Sequence, residues 1–139
     1  MKRKITIRAG ILIALVSTLI LTANAFAETK SKIASKNKDI VGIWQGQVRG
    51  EIGYRQFNED GTMGTSETVD GLSEATPEKF WFENNIFHVQ KTDTSEIGTY
   101  NVTLVKEKGQ GKKLNFSIVE EPKEKRGEDI SAPMTEVKP

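Results

Sequence analysis

The sequence predicts an all-β protein, a single antiparallel up-and-down β-barrel of seven or eight strands that follows a cleaved N-terminal signal peptide. From residue 40 onward, apolar residues recur with the period of two that is typical of half-buried strands. These segments are short and are joined by turn sequences, and none shows an apolar stripe at the helical period. Short strands joined by hairpins favour a meander, and closing the meander into a barrel removes its exposed edges.

Residues 1–27 have the three-part pattern of a secretory signal peptide. Basic residues lie within the first eight positions, the stretch 11–21 is apolar, and Ala25-Phe26-Ala27 supplies a small-x-small cleavage pattern. We therefore expect cleavage after Ala27 and export as a periplasmic or secreted protein. The alternative is an uncleaved membrane anchor, because 9–27 carries no charge and approaches the roughly 20 apolar residues that span a bilayer.

Composition restricts the classes of function. The chain has 20 basic and 19 acidic residues, and removing the four basic residues of 1–27 leaves 16 against 19, a formal charge of about −3. Nucleic-acid-binding domains normally carry an excess of positive charge, so the sequence argues against a nucleic-acid partner. The chain contains no cysteine, which excludes disulfides and thiolate chemistry.

Two segments are predicted after the signal peptide. Residues 28–38 are rich in Lys and Ser and offer little to bury, so they are predicted to form a flexible linker. Residues 39–139 then form one barrel domain, which is as much as a mature chain of about 112 residues can build around one core.

Turn signals divide the domain into strands. Asp60-Gly61 and Asn84-Asn85 are typical of tight hairpins, 70–78 reads as a loop, and Gly109 and Gly111 indicate a longer turn. The predicted strands are 40–48, 52–57, 62–69, 79–83, 86–91, 97–105 and 114–120, with a closing strand within 130–137.

The first strand contains Gly42-Ile43-Trp44, which resembles the Gly-x-Trp signature of lipocalins and the wider calycin superfamily. Gly98-Thr99-Tyr100-Asn101-Val102 also resembles a Gly-x-Tyr-x-Val strand of that group. The resemblance implies a small bacterial exported lipocalin-like domain. It further implies barrel closure by Gly42, Trp44 and Arg126: the tryptophan plugs the closed end beside an arginine, and Gly42 lets neighbouring chain pass closely.

The barrel interior is the predicted binding site. An eight-stranded barrel is about the size that can hold one small ligand, so the predicted function is non-enzymatic binding of a small apolar or amphipathic molecule. Arg55 shares a face with Phe57 and either offers charge to an anionic head group or reaches the rim. The predicted interior residues are Arg55, Phe57, Phe80, Phe82, Tyr100 and Phe116.

A second function is open if these side chains fill the core. The domain would then be a protein-interaction module, such as an inhibitor of an exported enzyme or an envelope adaptor. Trp81 lies on the opposite strand face from Phe80 and Phe82, so we expect it outside the barrel as a surface contact. The alternative is that residues 28–38 or the loop 70–78 cover Trp81.

No catalytic, metal or cofactor site is predicted. His88 is the single histidine, it is expected to point outward, and no spacing pattern supplies it with a catalytic or ligating partner. No Gly-x-Ser-x-Gly elbow is present. An enzyme stays open as a third alternative, and it would require a polar cluster inside the barrel.

Overall fold

The computed structural model describes residues 29–92, 94–120, 130 and 132–139. These residues form nine β-strands and the two 3₁₀ helices Asn37–Asp39 and Asp70–Glu74. The strands are β1 (Lys30–Ile33), β2 (Gly42–Val48), β3 (Glu51–Phe57), β4 (Thr62–Ser66), β5 (Glu78–Glu83), β6 (Ile86–Gln90), β7 (Ile97–Lys106), β8 (Lys112–Glu120) and β9 (Met134–Glu136). No helix among the described residues is long and apolar enough to cross a membrane.

Strands β2 to β9 form a closed antiparallel barrel of eight strands. Each strand pairs with the next along the chain, and β9 pairs with β2 to close the ring. Strand β1 lies outside this ring and pairs with residues 103–106 of β7, beyond the part of β7 that pairs with β6. The predicted all-β, up-and-down barrel is therefore confirmed.

The turns have the backbone conformations that their sequences favour. Asn84 and Asn85 both have positive φ values, 51° and 63°, as a tight hairpin between β5 and β6 requires. Gly61 has a φ of 82°, and the backbone N–H of Asn58 donates to the carbonyl oxygen of Thr62 across the β3–β4 turn. Local turn chemistry thus determines these two hairpins.

Antiparallel strands alternate in direction, so the connections lie alternately at two ends of the barrel. The turns 58–61, 84–85 and 107–111 lie at one end, together with the 3₁₀ helix Asn37–Asp39, and we call this the closed end. The connections 49–50, 67–77 and 91–96 lie at the other end, which we call the open end.

The predicted linker is wrong for the described part of 28–38. Residues 30–33 form β1, and the N–H of the fully buried Ala34 donates to the carbonyl oxygen of Val102 at 2.9 Å. All four residues of β1 are exposed, so backbone hydrogen bonds hold this strand, and composition does not reveal such bonds. The predicted signal peptide, 1–27, lies outside the described residues.

Asp39 fastens the chain that leads from β1 to β2. Its carboxylate accepts hydrogen bonds from the backbone N–H groups of Ser35 (3.0 Å) and Lys36 (3.2 Å) and from the Lys32 ammonium (3.1 Å). The Ser35 N–H is the main cause that holds the pKa of Asp39 below its ordinary value, and Lys32 and Lys36 act in the same direction against partial desolvation. The ionised carboxylate therefore stabilises this segment.

Asp39→Ala is expected to lower the free energy of unfolding by about 1 to 2 kcal/mol at neutral pH, because two backbone donors lose their acceptor. Since the folded-state pKa is lowered, this stabilisation is present above the pKa of the unfolded chain and is lost as the pH falls through the folded-state value. Urea unfolding should show that the difference in free energy of unfolding between wild type and Asp39→Ala becomes smaller below about pH 4. Glu59→Ala, which removes an exposed carboxylate at the same end, is the control. A difference that does not change with pH would contradict the role of the charge.

Candidate functional site

Aromatic rings from five strands meet inside the barrel. Phe57 of β3 contacts Phe80 of β5 edge to face, with ring centroids 5.3 Å apart, and stacks on Phe116 of β8 at 6.3 Å. Tyr100 of β7 contacts Phe116 at 6.2 Å. These four side chains are almost completely buried, so the strands that form the wall also place rings in the middle of the interior.

Phe87 of β6 lies at the centre of this cluster. Its ring contacts five others at centroid distances from 5.3 to 6.3 Å, and the residue is completely buried. The five contacted rings are those of Phe57, Phe80, Phe82, Tyr100 and Phe116. Phe87 is not among the six predicted interior residues, although it precedes His88, which was expected to point outward, and alternation therefore directs Phe87 inward. Its position relative to the other strands, which sequence alone does not supply, makes it the hub.

The ring contacts describe a filled interior. Phe57 and Phe116 lie on strands separated by β2 and β9, yet their rings stack on each other, so the space between the walls is occupied by side chains. Five of the six predicted interior residues, all except Arg55, make these ring contacts with one another or with Phe87. The middle of the barrel therefore resembles a packed protein core more than a ligand pocket.

Arg55 lies on the inner face of β3 and is only 7% exposed. Its Nη1 donates to the carbonyl oxygen of Gln47 at 2.7 Å, so part of its hydrogen-bonding capacity is used within the barrel wall. In the β2–β3 register Arg55 is directly opposite Trp44. Among the described residues, Arg55 is thus the arginine beside Trp44. The resemblance assigned that role to Arg126, which lies outside the described residues.

Trp44 is buried towards the closed end of the barrel. It is 1% exposed, and its Nε1 donates to the carbonyl oxygen of Ile40 at 2.8 Å. Ala34 and Ile40, on the chain that leads into β2, are also completely buried and belong to the same apolar cluster. The indole therefore ties this chain to the first barrel strand.

Gly42 is required for its backbone conformation. Its φ is +136°, a value that residues with a Cβ rarely adopt. Among the described residues, a Cβ at this position would meet only the Trp44 Nε1, at the ordinary contact distance of 3.8 Å. No backbone from the described part of the chain passes closely over Gly42, in contrast to the expectation from the resemblance.

The outer surface of β5, β6 and β7 carries an aromatic pair. Trp81 and His88 are opposite each other in the β5–β6 register, and their rings stack in parallel with centroids 5.3 Å apart. Both are half-buried. On the other side of His88, Thr99 of β7 is its partner in the β6–β7 register. Trp81 thus lies outside the barrel, with His88 covering one face of its indole.

Polar and apolar residues surround this pair. Lys79 and Gln90 are opposite each other on the open-end side, and Ile97, which is 40% exposed, is next to Gln90. We define the Trp81 face as the outward-facing residues Lys79, Trp81, His88, Gln90, Ile97 and Thr99. A groove of about 360 Å³ adjoins it, lined by Thr62, Pro77, Glu78, Lys79, Gln90, Lys91 and Thr92.

The described residues do not assemble a recognisable catalytic or metal site. His88 stacks on Trp81, and within this part of the chain no carboxylate forms an ion pair with it. Within the same residues, no group of three or more His, Asp and Glu side chains is placed to hold a metal ion.

Comparisons with protein-family models, with curated proteins and with solved structures find no match to this chain.

Proposed function

We propose that this protein is an exported lipocalin-like domain that binds another exported protein, as an inhibitor of an exported enzyme or as an envelope adaptor. The Phe87-centred ring cluster carries this proposal, because it occupies the interior that a carried ligand would need. An eight-stranded barrel opened by a Gly-x-Trp strand, with Trp44 buried towards its closed end, supports the lipocalin-like relationship. The signal-peptide pattern of residues 1–27 supports export.

The Trp81 face is the proposed binding surface. Trp is the residue type most enriched at interface hot spots, and its large ring loses little conformational entropy on binding. Stacking on His88 holds the indole in one orientation before a partner arrives. The surrounding Lys79, Gln90 and Thr99 supply the polar rim typical of such surfaces. A filled barrel makes this wall a rigid support.

Trp81→Ala is expected to weaken binding of the partner about 30-fold, the effect of losing a hot-spot side chain. The partner is isolated by cross-linking in an extract of the producing cells and purified, and its dissociation constant is then measured by calorimetry against each variant. The thermal unfolding of Trp81→Ala should change little, since the indole is only half-buried.

Ile52→Ala is the matched control. Ile52 is 70% exposed on the outer face of β3, so the variant removes an exposed apolar side chain elsewhere on the barrel. Equal dissociation constants for wild type, Ile52→Ala and Trp81→Ala would refute the role of the Trp81 face.

One observation favours small-ligand transport as a second candidate function. Ile118 of β8 is opposite the buried Tyr100 of the ring cluster, and it is 47% exposed, so an apolar side chain beside the cluster is accessible to a ligand. A small apolar or amphipathic ligand would bind there, above the ring cluster. Native mass spectrometry with fatty acids, haem and quinones tests this function, and a bound ligand whose affinity falls in Ile118→Asp would favour it over the protein-binding proposal.

A further inference from the structure

Charge is distributed unequally between the two ends of the barrel. At the closed end, a groove of about 590 Å³ is lined by Lys30, Lys106, Lys108 and Lys138, with Glu107 as its acidic member. Towards the open end, the chain from 67 to 78 carries four acidic residues and no Lys or Arg. The closed end therefore carries a lysine-rich groove and the open end carries an acidic segment, although the two signs are nearly balanced along the chain.

Four lysines and one carboxylate line the groove, so its lining carries a net positive charge. The Glu107 Oε2 lies 3.8 Å from the Lys113 Nζ, so its charge is shared with a lysine outside the groove lining. Across the part of the chain that the structure describes, Lys30, Lys106 and Lys138 form no ion pair. These lysines come from three distant parts of the sequence, which the pairing of β1 with β7 and the course of β9 bring together.

The groove also lies close in sequence to the apolar N-terminal stretch. Lys30 begins β1, and it follows Ala27, the last residue of the uncharged stretch 9–27, by three positions. Three residues of extended chain reach about 10 Å. In a chain that keeps residues 9–27, the closed end must lie within about 10 Å of the point at which that stretch leaves a bilayer, whereas after cleavage at Ala27 the groove alone would hold the barrel to the surface.

We propose that the lysine groove docks the closed end of the barrel on an anionic membrane surface. Each lysine that reaches such a surface strengthens binding about fivefold, and the attraction acts within a Debye length. The acidic segment at the open end is repelled by the same surface, so the barrel stands with its open end outward. In this orientation the Trp81 face, on the side wall, stays accessible to a partner.

The test uses the chain as purified from producing cells, with its N-terminus read by mass spectrometry. Sedimentation measures its binding to vesicles of phosphatidylcholine alone and of phosphatidylcholine with an equal amount of phosphatidylglycerol. Any apolar segment that remains contributes to both vesicle types, so the difference between them reports the lysines. The triple variant Lys30→Gln/Lys106→Gln/Lys138→Gln is expected to lose about 100-fold of the preference for anionic vesicles.

The matched control removes three positive charges near the open end, as Arg49→Gln/Lys79→Gln/Lys91→Gln. It should keep the wild-type preference, although its net charge is the same as that of the groove variant. Circular dichroism checks that both variants are folded. Equal binding by the two triple variants, or equal binding of wild type to both vesicle types, overturns the proposal.

A second measurement reports orientation. Because the chain has no cysteine, Gln110→Cys in the groove and Thr68→Cys at the open end each accept one polarity-sensitive dye. Anionic vesicles should shift the emission of the Gln110 dye and leave the Thr68 dye unchanged. Equal shifts contradict the orientation. Binding to soluble polyglutamate without a preference for anionic vesicles would assign the groove to an acidic polymer and overturn membrane docking.

Discussion

Trp44→Ala is expected to lower the free energy of unfolding by about 3 to 5 kcal/mol, the cost of removing a large buried aromatic side chain. The indole is 1% exposed, so its removal leaves a cavity towards the closed end beside Ala34 and Ile40. It also leaves the Ile40 carbonyl without the donor that Nε1 supplies at 2.8 Å. Small domains are stable by roughly 5 to 15 kcal/mol, so this variant should unfold at a much lower urea concentration.

Trp44→Phe separates the two contributions. Phenylalanine keeps most of the apolar volume but cannot donate to Ile40, so we expect a smaller loss of about 1 to 3 kcal/mol. Trp81→Ala, which removes the same side chain from a half-buried position, is the control and should lose less than Trp44→Ala. A Trp44→Ala protein that unfolds at the wild-type urea concentration would show that Trp44 does not secure the closed end.

Phe87→Ala is expected to produce the second large effect and to lower the free energy of unfolding by about 3 to 5 kcal/mol. Its ring contacts five other rings in the middle of the barrel, so its removal leaves a cavity that the surrounding structure fills only in part. The cavity should be apolar and able to bind benzene, as cavities lined by apolar side chains do. Added benzene should therefore raise the midpoint of thermal unfolding of Phe87→Ala and not of wild type.

Phe82→Ala is the matched control for Phe87→Ala. Phe82 has the same side chain and lies on the same inner face, but it is only half-buried and contacts the cluster through Phe87. Phe82→Ala should lower the free energy of unfolding less than Phe87→Ala does, because solvent already reaches the Phe82 side chain. Equal losses for the two variants would argue against a close-packed centre.

The barrel could be predicted because its signals are local. Alternation in 42–48 and 97–106, and the turn pairs Asp60-Gly61 and Asn84-Asn85, depend on neighbouring residues alone. The predicted strand boundaries agree with the structure to within a few residues. Strand β1 was missed because its four residues are exposed and carry no apolar pattern.

The interior residues could be predicted as a set, but their mutual distances could not. Alternation identified Phe57, Phe80 and Phe116 as inward-facing, which is equally consistent with a ligand cavity and a packed core. Whether rings touch depends on the stagger of strands around the barrel, and no local pattern specifies that stagger. The central position of Phe87 and the pairing of Arg55 with Trp44 follow from this register.

Sequence alone therefore determined the all-β class, the order of the barrel strands and the outward position of Trp81, because the period of two and the turn residues act over a few positions. Only the tertiary structure decided that the interior is filled by aromatic rings, that Asp39 fastens the chain below the barrel, and that lysines from distant segments line one groove. These features arise from contacts between residues far apart in the chain, and closure of the barrel sets their distances.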